Sequence, residues 1–161
     1  MNSRADAAEV SALIEDILAR YHEPHRRDLA AILALARDES LRAPFPHLEE
    51  RLADFAEALE MHMLKEEMRL FPMMEQGGHG LVRHLIDDLR GEHGSHREAL
   101  GDLESLRRAL DGAAGVPGAQ PLAAALGRLS RDLEDHIRAE DEGLFPRFEG
   151  AGTAPPAPRP G

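Results

Sequence analysis

The chain contains no cysteine. That excludes disulfides, thiolate metal sites and thiol chemistry, so any bound metal must use nitrogen and oxygen donors. There is no tryptophan and only one tyrosine. β-Branched residues are few beside Ala, Leu, Glu and Arg, a mixture that favours helix over strand. No apolar run reaches membrane-spanning length, and the opening MNSRADAAEV lacks the apolar stretch of a signal peptide. Nor is there a basic excess: the formal net charge is −11 and no Lys/Arg face stands out, which sets nucleic acid aside as a partner. These absences lead to the expectation of a cytoplasmic protein with no membrane partner, either a monomer or a homodimer.

What the chain does have is helical periodicity and nine histidines. Gly-, Pro-, Ser- and Asp-rich breakers stand at 37–46, 76–80 and 111–121. Between them the spacing predicts helices over about 8–36, 47–75, 81–110 and 121–148. Long amphipathic helices joined by short loops pack as an all-α, up-down-up-down four-helix bundle. One domain is expected over residues 1–149, followed by a disordered Pro/Gly-rich tail over 150–161.

The inward seams repeat. The second helix reads Leu48, Leu52, Phe55, Leu59, His62, Glu66, Leu70. The fourth reads Leu122, Leu126, Leu129, Leu133, His136, Glu140, Leu144, at a constant offset of 74. The first helix reads Ile14, Leu18, His22, His25, Leu29, Ile32. The third reads Leu85, Leu89, His93, His96, Leu100, Leu103, at an offset of 71. The chain is thus two copies of a helix pair, each needing the other to cover its apolar face. Six histidines and two glutamates fall on these stripes, near the middle of every helix. A buried carboxylate must pair, protonate or bind a cation. Imidazole and carboxylate together, without sulfur, suit iron, manganese or zinc. The alternative is a metal-free His–Glu hydrogen-bond network.

The stretches RYHEPHR, HMLKEEMRLFP, EHGSH and DHIRAEDEGLFP resemble the hemerythrin-like, HHE cation-binding proteins, and among these the di-iron branch that repairs iron–sulfur clusters. The resemblance covers about residues 10–149. It implies a hemerythrin-like bundle with two iron ions, bridged by carboxylates and an oxo or hydroxo group, with zinc or manganese as alternatives. By position it carries metal-ligand roles onto His22, His62, Glu66, His93, His136 and Glu140, with Glu66 and Glu140 as bridges. It implies a role in oxidative or nitrosative stress, through cluster repair or iron donation. A reversible dioxygen or nitric oxide module and a non-enzymatic metal store are the other readings. The partners it implies are a small diatomic ligand and damaged iron–sulfur proteins. Two departures stand out. Repair proteins often carry a cysteine-containing N-terminal domain, and this chain has no cysteine. Members also usually have a histidine late in the first helix, where this chain has LARDESLRAP. One iron would then lose a ligand, to be replaced by His25, His47, Asp38, Glu39 or water.

Several residues carry lesser expectations. His25, His96 and His47 are candidates as added ligands or as groups that orient ligands. Pro24 should remove a backbone hydrogen bond and kink the first helix. Phe71 and Phe145, in the two Leu-Phe-Pro stretches, should wall the centre from water. The methionines read as filler, and Tyr21 as a core or rim residue. On a regular helix Asp141 and Glu142 should turn away from the inward Glu140.

Overall fold

The computed structural model describes residues 3–77 and 79–149. Helix α1 covers 3–36, α2 is the short Glu39–Arg42, α3 covers 48–75, α4 is His79–Gly112, α5 covers 119–144, and α6 is the terminal turn Pro146–Glu149. The four long helices run up-down-up-down, with α1 packed on α3 and α5, and α4 packed on the same two. The expected tail, 150–161, lies outside the described residues.

The predicted seams form the interior. Every seam residue is buried except Leu18 and Leu85, which are half-buried. The apolar parts divide into two clusters. One, around Leu52, Leu59, Leu122, Leu126 and Leu129, fills the end where α2 and the 113–118 loop meet. The other, around Ile14, Leu70, Phe71, Ile86, Leu144 and Phe145, fills the opposite end. The eight polar seam side chains are all buried, at the level between the two clusters.

Three of the long helices do not keep α-helical register through that level. Each widens into a π-helical turn: Leu18–His22 in α1, Glu66–Leu70 in α3 and Ala139–Leu144 in α5. Each turn is followed, one residue on, by a proline: Pro24, Pro72 or Pro146. A proline inside a helix lacks its N–H and its ring collides with the carbonyl four residues back. One extra residue in the turn relieves both problems. The residue before each proline then bonds five residues back, Glu23 N–H to Leu18, Phe71 N–H to Glu66 and Phe145 N–H to Glu140. The expected kink at Pro24 is therefore a π turn, and it recurs in two more helices.

The 37–47 connection is less irregular than its composition suggests. Asp38 caps α2, accepting hydrogen bonds from the Ser40 backbone N–H at 2.9 Å and the Ser40 hydroxyl at 2.6 Å. Ser40 Oγ in turn accepts from Gly118 N–H at 3.0 Å, tying this connection to the one before α5. A Cβ on Gly118 would lie 2.9 Å from the Asp38 side chain, so this close approach requires glycine.

Candidate metal centre

Each of the four long helices delivers an imidazole to one level of the interior, and α3 and α5 each add a carboxylate one turn further on. The four histidines turn their Nε2 atoms inward, in two pairs. His22 and His136 Nε2 stand 3.2 Å apart, and so do His62 and His93 Nε2. Glu66 and Glu140 lie between the pairs. Glu66 Oε2 is 3.3 Å from His22 and its Oε1 is 3.2 Å from His62. Glu140 Oε1 is 3.1 Å from His136 and its Oε2 is 3.1 Å from His93. Each carboxylate thus gives one oxygen to each histidine pair. Two four-donor groups result, His22–His136–Glu66–Glu140 and His62–His93–Glu66–Glu140, each with donors all within 4.8 Å of one another.

The outer nitrogens decide what the inner ones can do. His22 Nδ1 lies 2.7 Å from Glu67, His62 Nδ1 2.9 Å from Glu92, and His93 Nδ1 2.9 Å from Asp141. A carboxylate accepts, so each of these Nδ1 atoms carries the proton. In the neutral imidazole the Nε2 lone pair then faces the Glu66 or Glu140 oxygens with no hydrogen between them. All four of those oxygens are buried and accept no hydrogen bond among the described residues. Lone pairs this close repel unless a cation sits between them. The spacing suits one: donors bonded at about 2.1 Å stand roughly 3.0 Å apart when cis-octahedral and 3.4 Å when tetrahedral. The donors therefore fit two cations with shared carboxylates, and they fit a metal-free hydrogen-bond network poorly.

In the metal-free centre, with its imidazoles protonated, charge divides unevenly. Burial pushes the Glu66 carboxyl well above its usual range, and the neighbouring Glu140 charge adds to it. For Glu140 burial acts the same way, but His136 and His93 outweigh it and keep this carboxyl low. Burial would also raise Glu67, Glu92 and Asp141. Arg26 and His22 on Glu67, Lys65 and His62 on Glu92, and Arg97 and His93 on Asp141 outweigh it and hold all three low. These three carboxylates are anions wedged between an inner imidazole and a surface cation.

The fourth imidazole is backed differently. His136 Nδ1 lies 3.2 Å from His25 Nε2, and His25 Nδ1 has no partner among the described residues. Burial, reinforced by the neighbouring imidazoles of His136 and His22, brings His25 down to about 3, so it is neutral. His96 packs edge-on against His62, ring centres 4.8 Å apart, with its Nε2 unpartnered among the described residues. Tyr21 lies flat on His136 at 5.2 Å and 8°. Phe71 and Phe145, both buried, cover His22 and His93 at 5.8 and 5.7 Å.

A family model for the hemerythrin HHE cation-binding domain matches residues 13–148. The chain belongs to this family. Among its curated relatives, the iron-sulfur cluster repair protein DnrN of Neisseria gonorrhoeae is 35% identical over 147 residues, covering 88% of this chain and 93% of that one. The iron-sulfur cluster repair protein YtfE of Cronobacter sakazakii is 33% identical over 150 residues, covering 88% of this chain and 66% of that one. YtfE of Escherichia coli is 31% identical, with 88% and 67% covered.

Within this hemerythrin-type bundle the six expected ligand positions come together, and one expectation, the orientation of Asp141, needs correction. The two donor groups hold two imidazoles and two carboxylate oxygens each, and among the described residues no further histidine joins either. Of the proposed substitutes, His47 is exposed and pairs with Glu50, Asp38 caps α2, and Glu39 pairs with Arg42. His25 does lie at the centre, but behind His136. Asp141 does not turn away: the π turn rotates it onto His93. Glu67, Glu92 and Asp141 escaped the sequence reading because all three lie off the seams. Their one sequence signal is that Glu67 and Asp141 share the offset of 74. Among the described residues no helix is long and apolar enough to cross a membrane.

Proposed function

We propose that this protein holds two iron ions and serves the repair of, or iron donation to, damaged iron–sulfur proteins under oxidative or nitrosative stress. His22 and His136 would hold one ion, His62 and His93 the other, and Glu66 and Glu140 would bridge them. The observation that carries the two-ion reading is that every Glu66 and Glu140 oxygen faces one histidine pair and receives no hydrogen bond among the described residues. When bound, two such ions supply redox chemistry and coordination positions for a small ligand. The chain's own part is to orient the imidazoles through their outer Nδ1 partners and to exclude water with Phe71 and Phe145. The repair role rests on likeness to relatives named for it and on their coverage of most of this chain.

A second reading, reversible binding of dioxygen or nitric oxide, is favoured by one feature. A groove of about 560 Å³ between α3 and α4 runs past Met61, Lys65 and Glu92 to His96, which packs on His62. The test has two stages. Anaerobic loading with ferrous iron should give two ions per chain by metal analysis, and one or none would defeat the two-ion reading. The loaded protein is then mixed with a damaged cluster protein. Transfer of iron supports repair. No transfer, together with a stable reversible dioxygen or nitric oxide adduct, supports the second reading.

A further inference from the structure

The duplication that builds the centre can be followed one layer further out. The offsets of 71 and 74 map His22 onto His93, His62 onto His136, and Glu66 onto Glu140. They thereby exchange the two donor groups. They also map Glu67 onto Asp141, which back His22 and His93 in the same way, and His25 onto His96. The correspondence fails at one place. The residue that matches Glu92 is Tyr21.

The consequence is visible in the hydrogen bonds. In one half Glu92 takes His62 Nδ1 at 2.9 Å, and His96 is left edge-on with its Nε2 unused. In the other half Tyr21 stacks on the face of His136 and takes no part in holding it, so His25 takes His136 Nδ1 at 3.2 Å. Both imidazoles of the His62–His93 group are backed by carboxylates. In the His22–His136 group only His22 is.

We propose that the two metal positions are unequal, and that the His22–His136 position releases its ion first, because Tyr21 stands where Glu92 stands in the other half and leaves an imidazole, His25, rather than a carboxylate to position His136. This rests on the two-ion reading above. An imidazole whose N–H is drawn toward an anion is the better electron donor, and outer partners of metal-bound histidines typically change affinity by about 10–100-fold. The His62–His93 position also has one more carboxylate close by, Glu92, which is itself paired with Lys65. A protein that donates iron gains from this inequality: one ion can leave while the other still ties the helices together.

The experiment uses the full chain loaded anaerobically with two equivalents of ferrous iron, then mixed with excess chromophoric chelator. Two release phases of one ion each are expected, differing in rate by about tenfold or more. Tyr21→Glu should slow the fast phase toward the slow one. His25→Ala should quicken the fast phase alone, and His25→Gln, which keeps an acceptor, should restore most of the wild-type rate. Glu92→Gln should quicken the slow phase alone. Circular dichroism checks that each variant is folded, and the His25 and Glu92 variants decide the matter if Tyr21→Glu does not fold. Two ions leaving at one rate would overturn this inference and leave the two-ion reading intact, as would His25 variants that act on the slow phase or on neither. Binding of fewer than two ions would overturn both.

Discussion

Glu66 and Glu140 face one another across the bundle axis, each with one oxygen 3.1–3.3 Å from a histidine of either pair. Neither group of donors is complete without both residues, so loss of one carboxylate damages both positions together. Glu140→Ala is expected to lower metal content to one ion per chain or fewer and to lower the melting temperature of the iron-treated protein. Metal analysis and thermal melting of the same sample check this. A variant that melted early while keeping two ions would show that Glu140 is structural rather than a bridge.

Metal should account for a measurable part of the stability, because the donors come from all four long helices. A ligand present at a hundred times its dissociation constant stabilises the native state by about 2.7 kcal/mol. For a chain of this size each kcal/mol moves the melting temperature by roughly 2–4 °C. Stripping with a strong chelator should therefore lower it by about 5–10 °C, and adding iron back should restore it. An unchanged melting curve would mean that the ions, if bound, do not hold the helices together.

The sequence made the bundle legible because a buried stripe on a helix must recur every three or four residues, and these stripes recur twice. The same reasoning placed His22, His62, Glu66, His93, His136 and Glu140 at one level. It could not reach Glu67, Glu92 and Asp141, which lie off the stripes and meet their histidines only in three dimensions. Nor did it read Pro24, Pro72 and Pro146 as a set. Each follows a widened turn that carries His22, Glu66 or Glu140, and the extra residue swings Asp141 inward, where a regular helix would point it to solvent. The capped helix Glu39–Arg42 was hidden by a composition that suits a loop equally well.

The prolines give a test of that argument. Pro72→Ala restores an N–H and removes the ring that forbids regular register. Proline costs about 3 kcal/mol relative to alanine inside an ordinary helix. The metal-free variant should therefore be as stable as the parent, or more so. If the helix recloses, Glu66 and Glu67 rotate away from their histidines and iron affinity falls. Paired measurements of melting temperature without metal and of iron affinity separate the two effects. An unchanged affinity would show that the π turn is held by packing and not by Pro72.

His96 gives the bundle an acid sensitivity whose sign can be worked out. Burial, with the neighbouring imidazoles of His62 and His93, brings it down from 6.5 to about 4. The unfolded chain therefore binds this proton before the folded chain does. The stability that His96 contributes is complete above about pH 6.5 and is lost as pH falls toward 4, at up to about 1.4 kcal/mol per pH unit. Glu66 acts the opposite way over part of this range, since its raised carboxyl takes up a proton first in the folded state. The comparison that isolates His96 is therefore between the metal-free parent and metal-free His96→Leu, unfolded in urea at a series of pH values from 7 to 4. Glu66 is common to both. The parent should lose stability faster than the variant as pH falls. Parallel curves would mean that His96 is already protonated in the folded bundle or exchanges freely with water.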